Sequence, residues 1–286
     1  MADGIFRTVP HSPTRKEIRM PLHIIATIKQ VMDPETPVSS YKVDSESKQV
    51  VPTTQIPPVI NGFDENGLEA ALRIKDTMED VKVTVLSAGS HFVMDVMKKA
   101  LSMGTDEMVL VQDDALSNIS DSMVTASVLA SAIKKIGHFD IIISGRQASD
   151  WDNAQVPLIL AEMLGVPCIT VTRKVEVKDN EIICQHITDN GYQVISAQLP
   201  AVITVSNELG EPRYPNIRNI MAAARKSPTT WTLDDIGLST EKITPKLEIL
   251  DLYVPEKESQ CEIIAGDDEE DAGRKLAMKL RDAKLI

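Results

Sequence analysis

The stretch FDIIISGRQASDWDNAQVPLILAEMLG, Phe139–Gly165, decides the fold. It opens on a short apolar run rich in isoleucine, which predicts a buried strand. It closes on LILAEMLG, a helical pattern stopped by Gly165. Between them, GRQASDWDNAQVP carries a glycine, an arginine, amides and two aspartates, where a plain turn needs only a glycine or an N-cap residue. A strand that is apolar throughout and leads into a helix belongs in a parallel sheet covered on both faces. Ligands of such sheets sit at the carboxyl ends of strands, which is where this surplus of polar groups falls.

The pattern repeats outward. Leu22–Ile28, Val81–Gly89 and Glu107–Gln112 read as further strands, and Phe63–Met78, Phe92–Gly104 and Ser120–Gly137 as the helices between them. The proline- and serine-rich stretch after the first strand predicts a surface excursion with a small hairpin. After Gly165 the chain turns strand-rich, with turn signals at KDN and DNG, and predicts an antiparallel ribbon added to the parallel sheet. EPRYPNIRNIMAAARK reads as a loop leading into a basic-ended helix, and TPKLEILDLYVP as a strand. The last predicted helix has acids at Asp267–Asp271, bases later, and an apolar stripe of Ala272, Leu276, Leu280 and Ala283. That stripe packs either on its own domain or on a partner subunit.

Within the deciding loop, Gly145 gives room for close approach to the backbone. The helix that follows offers free N–H groups and a positive dipole end, suited to a phosphate. Gln147, Asn153 and Gln155 add neutral donors and Arg146 adds charge, unless it turns to solvent. Asp150 and Asp152 repel phosphate and suit N–H groups or a ribose hydroxyl. Pro157 belongs in the first turn, since deeper it removes a hydrogen bond. The competing reading is an elaborate N-cap loop with no ligand.

Other classes are excluded or disfavoured. With 286 residues and a net charge of −12, the chain lacks the basic balance of a nucleic-acid binder. Its 43% hydrophobic content with only 3% aromatics requires an aliphatic core. Cys168, Cys184 and Cys261 form no CxxC pair, which fits a reducing, cytoplasmic compartment and gives no support to a metal. No apolar run reaches the roughly 20 residues of a membrane helix. Residues 1–19 lack the apolar centre of a secretory signal and read as a disordered extension. Neither GxxxxGKS/T nor GxGxxG is present, so this is no P-loop or standard dinucleotide-binding signature. No catalytic constellation stands out.

In order and wording these pieces resemble the β subunit of electron-transfer flavoproteins. The resemblance is carried by IIATIKQVMD (Ile24–Asp33), INGFDENGLEAALRIKD (Ile60–Asp76), VLSAG with KKALSMGTDEMVLV, the GRQASDWDNAQVP loop, and LPAVITVSNELGEPRYPNIRNIMAAARK (Leu199–Lys226). It runs from about Leu22 to Ile286. The implied fold is a doubly wound, mostly parallel α/β sheet of the adenine-nucleotide hydrolase-like type, with an antiparallel addition and a C-terminal arm. The implied layout is a nucleotide-binding domain over 20–230 and an arm over 231–286 that packs on an α subunit.

The resemblance implies a non-catalytic electron-carrier subunit holding FAD or AMP. The positions implied for the nucleotide are Thr27, Asn61, Gly62, Phe63, Asp64, Ala88 and the run Gly145, Arg146, Gln147, Ala148, Ser149, Asp150, Trp151, Asp152, Asn153, Ala154, Gln155 and Val156. FAD is favoured over AMP because Asp152, Ala154, Gln155 and Val156 match the wording of members with a second flavin. Electron bifurcation with NAD(H) is a further implied possibility. Leu209, Glu211, Pro212, Arg213 and Tyr214 match the loop that docks acyl-CoA dehydrogenases or similar partners, and a membrane quinone oxidoreductase is another implied acceptor. Departures are Gly62 for a usual proline, Ser149 for isoleucine, Trp151 for a small or acidic residue, and Ile187 where many members are acidic. Two rivals keep the fold and change the role. An ATP pyrophosphatase needs an SGGxDS loop where this chain has TIKQVMD; a universal-stress-type sensor needs neither the EPRY loop nor the arm.

Overall fold

A computed structural model describes residues 21–51, 53, 56–117, 120–255 and 261–286. The extension expected before Met20 lies outside the described residues. Contacts divide the chain after Leu252, later than the boundary at 230 drawn from the sequence.

The first unit begins with β1 (Leu22–Thr27), β2 (Gln30–Met32), a hairpin of β3 (Val43–Asp44) and β4 (Gln49–Val50), and β5 (Pro58–Ile60). Helix α1 (Gly62–Thr77) leads to β6 (Val81–Gly89), α2 (Met94–Met103) and β7 (Glu107–Gln112). Then come α3 (Ser122–Ile136), β8 (Ile141–Gly145) and α4 (Val156–Leu164). The ribbon strands are β9 (Cys168–Lys178), β10 (Glu181–Thr188) and β11 (Gly191–Gln198), followed by β12 (Ala201–Val205), α5 (Ile217–Arg225) and β13 (Thr229–Trp231). The second unit contains α6 (Glu269–Asp282).

One nine-stranded sheet runs β11-β10-β9-β12-β8-β1-β6-β7-β13. Every pairing from β9 to β13 is parallel, while β9–β10 and β10–β11 are antiparallel. Alternation along the strands explains both coverings. Ile24, Val83, Leu110, Ile143 and Ile203 face one side, where α1, α2 and α5 supply Leu68, Met97 and Ala223. Ile25, Leu86, Val109, Ile142 and Val202 face the other, where α3 and α4 supply Val128 and Leu160. These central strands are apolar in both registers because they have a helix layer on both sides.

Three local readings change. Thr244–Pro255 forms no strand; Ile243 is buried against the α3 face, but Leu247, Leu250 and Tyr253 are exposed, so no partner strand orders this stretch. The edge strand β13 and the small β2–β5 pair carry too few residues for a period to show.

Gly145, the last residue of β8, is also held to glycine by its own fold. A Cβ there would meet Asp64 Oδ1 at 2.5 Å and the backbone of Phe63 and Asp64 at 2.7–2.8 Å. The missing side chain admits the first turn of α1. Gly145→Ala must therefore push α1 off the sheet edge. We expect a loss of about 1–3 kcal/mol, the usual cost of overpacking, measurable as a lowered urea midpoint at unchanged m-value.

Candidate nucleotide site at the sheet switch point

Strand order runs outward from β1 through β6 to β7 and then jumps back to β8 on the other flank of β1. After β1 the chain's helix covers one face, and after β8 it covers the other. The carboxyl ends of β1 and β8 thus form a topological switch point, where a crevice is expected. A cavity of about 460 Å3 opens there, within the roughly 300–1,000 Å3 typical of small-molecule sites.

Of the expected positions, Thr27, Asp64, Ala88, Gly145, Gln147, Ala148, Asp150, Trp151, Asn153, Ala154, Gln155 and Val156 line this cavity. Asn61, Gly62, Phe63, Arg146, Ser149 and Asp152 do not. Asn61 acts one step back: its Nδ2 donates to Gln147 O at 2.8 Å and its Oδ1 accepts from Ser149 N at 3.1 Å, pinning the loop. Gly62 is the first residue of α1 and a Cβ there would meet open space, so the conformation does not require glycine. Arg146 turns away, with its guanidinium 4.7 Å over the Phe63 ring and Nη1 donating to Ser206 Oγ at 3.3 Å. Asp152 accepts from Gln147 Nε2 at 2.7 Å.

The loop before α4 is bent by two non-glycine residues in the left-handed region, Asp152 at φ +51° and Ala154 at φ +52°, a conformation that surrounding structure must hold. At the helix itself, Leu158 and Ile159 both donate to Gln155 O, and Pro157 has no N–H. Only Val156 and the loop ahead of it remain to donate to an anion. The Lys29–Asp150 pair, 2.6 Å apart, closes one side. Thr27 Oγ1 and Ser144 Oγ share a buried hydrogen bond of 2.6 Å between the two switch-point strands.

Sequence reading missed a second wall. Ser120, Ser122 and Thr125 at the start of α3 line the cavity, as do Gly89–Phe92 after β6, Leu116, and Lys48–Val50 of the hairpin. Asp121, between two of these serines, caps the helix by accepting from Met123 N at 2.8 Å. The available signal was position: β7, like β8, ends just before hydroxyl residues and a helix start.

Asp64 joins these parts. Its Oδ2 accepts from Lys29 N at 2.8 Å and its Oδ1 from Gly145 N at 3.0 Å. Burial pushes its carboxyl up to about 7, against the pull of those N–H donors and Asn61.

The stretch expected to dock a partner divides into buried and exposed residues. Leu209 is only 8% exposed and packs in the α1-side core. Glu211 is exposed, Pro212 half-buried, and Tyr214 is 92% exposed. Arg213 is held inward by Glu69 and Asp76. The exposed apolar side chains lie just beyond, at Ile217 (78%) and Met221 (57%) on α5, beside Arg218 and Arg225.

The family model described as the electron transfer flavoprotein domain matches residues 50–236. A β subunit of electron transfer flavoprotein from Megasphaera elsdenii is 40% identical over 211 residues, 72% of this chain and 76% of that one. The caffeyl-CoA reductase-Etf complex subunit CarD of Acetobacterium woodii is 32% identical over 93% of this chain and all of its own. The β subunit of Thermoanaerobacterium thermosaccharolyticum is 34% identical with the same coverage. The chain belongs to the electron-transfer flavoprotein β-subunit family. Members of this family transfer electrons and are not conventional enzymes. No helix among the described residues is long and apolar enough to cross a membrane.

The Asp64 carboxyl gives the family site in this chain a pH signature. Its folded pKa of about 7 lies above the unfolded value of about 3.9. Between those values the folded state holds more protons, so stability falls as pH rises from about 4 to about 7. We expect the urea midpoint to decline across that window. Asp64→Asn should remove the decline while lowering stability at pH 5, because its amide must face one of the two N–H donors.

Proposed function

We propose that this chain is the β subunit of an αβ heterodimer, that it holds FAD at the switch-point cavity, and that it docks an acyl-CoA-linked redox enzyme through α5. The carrying observation is the cavity itself, with loop and helix-start donors at one end and Leu116, Val128 and Leu129 along one wall. That donor set fits a phosphate or pyrophosphate, and the apolar wall fits an aromatic base. Val156 and the loop before it would hold the phosphates. Asp150 and Asn153 would meet ribose hydroxyls, and Trp151, 44% exposed at the rim, would cover a ring. A bound flavin supplies one- and two-electron chemistry, whereas AMP supplies only structure.

The choice of FAD over AMP is supported by Ala154, whose small side chain lines the cavity, and by the hairpin at Lys48–Val50, which extends the lining beyond the loop. Bifurcation with NAD(H) follows only if that second flavin is present. Cofactors released from the purified heterodimer should number two FAD; one FAD with one AMP would overturn this part of the reading.

Heterodimer formation is supported by α6. None of its residues is buried, and Leu276 of the Ala272, Leu276, Leu280 and Ala283 stripe is 45% exposed. Covering such a stripe contributes about 25 cal/mol per Å2 of apolar surface before ordering costs. Truncation after Pro255 should abolish co-purification with the α subunit; retained affinity would remove the arm from the interface. Docking is supported by the exposed Ile217 and Met221, and an acyl-CoA-linked partner by the name of the Acetobacterium relative. Ile217→Ala should raise the dehydrogenase concentration for half-maximal electron transfer by roughly tenfold, as anchor truncations do, with nucleotide content unchanged.

A further inference from the structure

Helix α1 carries a polar stripe that amphipathic patterning assigns to solvent. Asn66, Glu69, Arg73 and Asp76 recur at three- and four-residue spacing on one face. Asn66 and Glu69 are nevertheless only 6% and 5% exposed. What covers them is the irregular segment between β12 and α5.

Each residue of the stripe holds that segment at a defined atom. Asn66 Nδ2 donates to Gly210 O at 2.9 Å, and Arg73 Nη1 donates to Leu209 O at 3.0 Å. Glu69 Oε2 accepts from both the backbone N and the Nε of Arg213, at 3.1 and 2.7 Å, and Glu69 Oε1 accepts from Arg73 Nε at 2.8 Å. Arg213 Nη2 donates to Asp76 Oδ2 at 2.7 Å and, at 3.3 Å, to Glu69 Oε1. The segment's own regular structure is one 3-10 turn, Asn207–Leu209, so side chains of α1 do the work a sheet or helix ladder would do.

We infer that this stripe is a mount for the docking segment, and that Glu69 and Arg213 are positioning residues for partner docking. The inference rests on the docking reading above. Stability alone does not call for buried charge here, because well-packed apolar groups of the same volume hold as firmly. Direction does call for it: a forked guanidinium between two carboxylates fixes orientation as well as distance. Immediately past Arg213 the chain presents Tyr214 and then Ile217, 92% and 78% exposed. Their placement is set by where Arg213 is held.

The test uses the purified αβ complex with a butyryl-CoA dehydrogenase reduced by its substrate as the probe. Arg213→Ala removes the fork, Arg213→Lys keeps the charge without it, and Ile217→Ala removes the contact itself. Expected are a roughly tenfold rise in half-saturating dehydrogenase for Arg213→Ala, an intermediate rise for Arg213→Lys, and unchanged kcat and nucleotide content. Amide exchange should accelerate in 206–216 and stay as it was in β1 and β8. An unchanged half-saturation in both Arg213 variants, with Ile217→Ala impaired, overturns the mount while leaving docking intact. If Ile217→Ala is also unchanged, the docking reading falls and takes the mount with it. Loss of nucleotide or of slow exchange across the whole sheet would make Arg213 a general brace and equally overturn the inference.

Discussion

The carboxylate of Asp64 stands where the ends of β1 and β8 meet the beginning of α1, and all three depend on it. Two strand ends that diverge at a switch point leave backbone N–H groups without sheet partners. Asp64 takes one from each, at Lys29 and at Gly145. It reaches both only because Gly145 has no side chain. Asn61, three residues earlier, then holds the following loop through its two amide ends. The geometry of the cavity is thus fixed by a buried acid and an amide from one helix start. Burying that acid is costly, as its raised carboxyl pKa near 7 records.

This arrangement explains which features could be read from sequence. The parallel strands and their helices were legible because burial on both faces leaves uninterrupted apolar runs, as in Ile141–Ile143, and because glycines stop the helices. The loop at Gly145–Val156 was legible because its polarity exceeds what a turn requires. Roles inside the loop were not. Arg146 and Asp150 differ only in sequence by charge, yet one turns back over Phe63 and the other faces the cavity with Lys29. Gly145 lines the cavity as expected from its place, but its lack of a side chain also admits the first turn of α1. Such outcomes depend on what approaches from α1, more than 80 residues earlier, and no local pattern carries that information.

The same limit applies to the segment between β12 and α5, which the proposed function assigns to docking. Leu209 and Ile217 are both apolar residues in a polar neighbourhood, and nothing in their spacing separates anchor from contact. Tertiary structure separates them: Leu209 enters the α1-side core while Ile217 begins a new helix in solvent. The signal that could have helped was the stripe on α1. A helix with acids and amides at core-facing spacing needs partners, and Arg213 is the arginine in the signature nearest to Leu209.

Charge gives the last step of the argument. The chain carries a net −12, so its general field repels acidic partners. Beside Ile217 and Met221 lie two cations, Arg218 and Arg225. Under the docking reading, apolar anchors beside cations on an acidic molecule divide the tasks of recognition. The anchors set how long a complex lasts, through desolvated contact. The arginines set how often an encounter is correctly oriented, and that contribution weakens with salt over about a Debye length. Holding Arg213 inward against Glu69 and Asp76 fits this division. Its charge is paired within the mount, which leaves Arg218 and Arg225 as the arginines beside the apolar anchors.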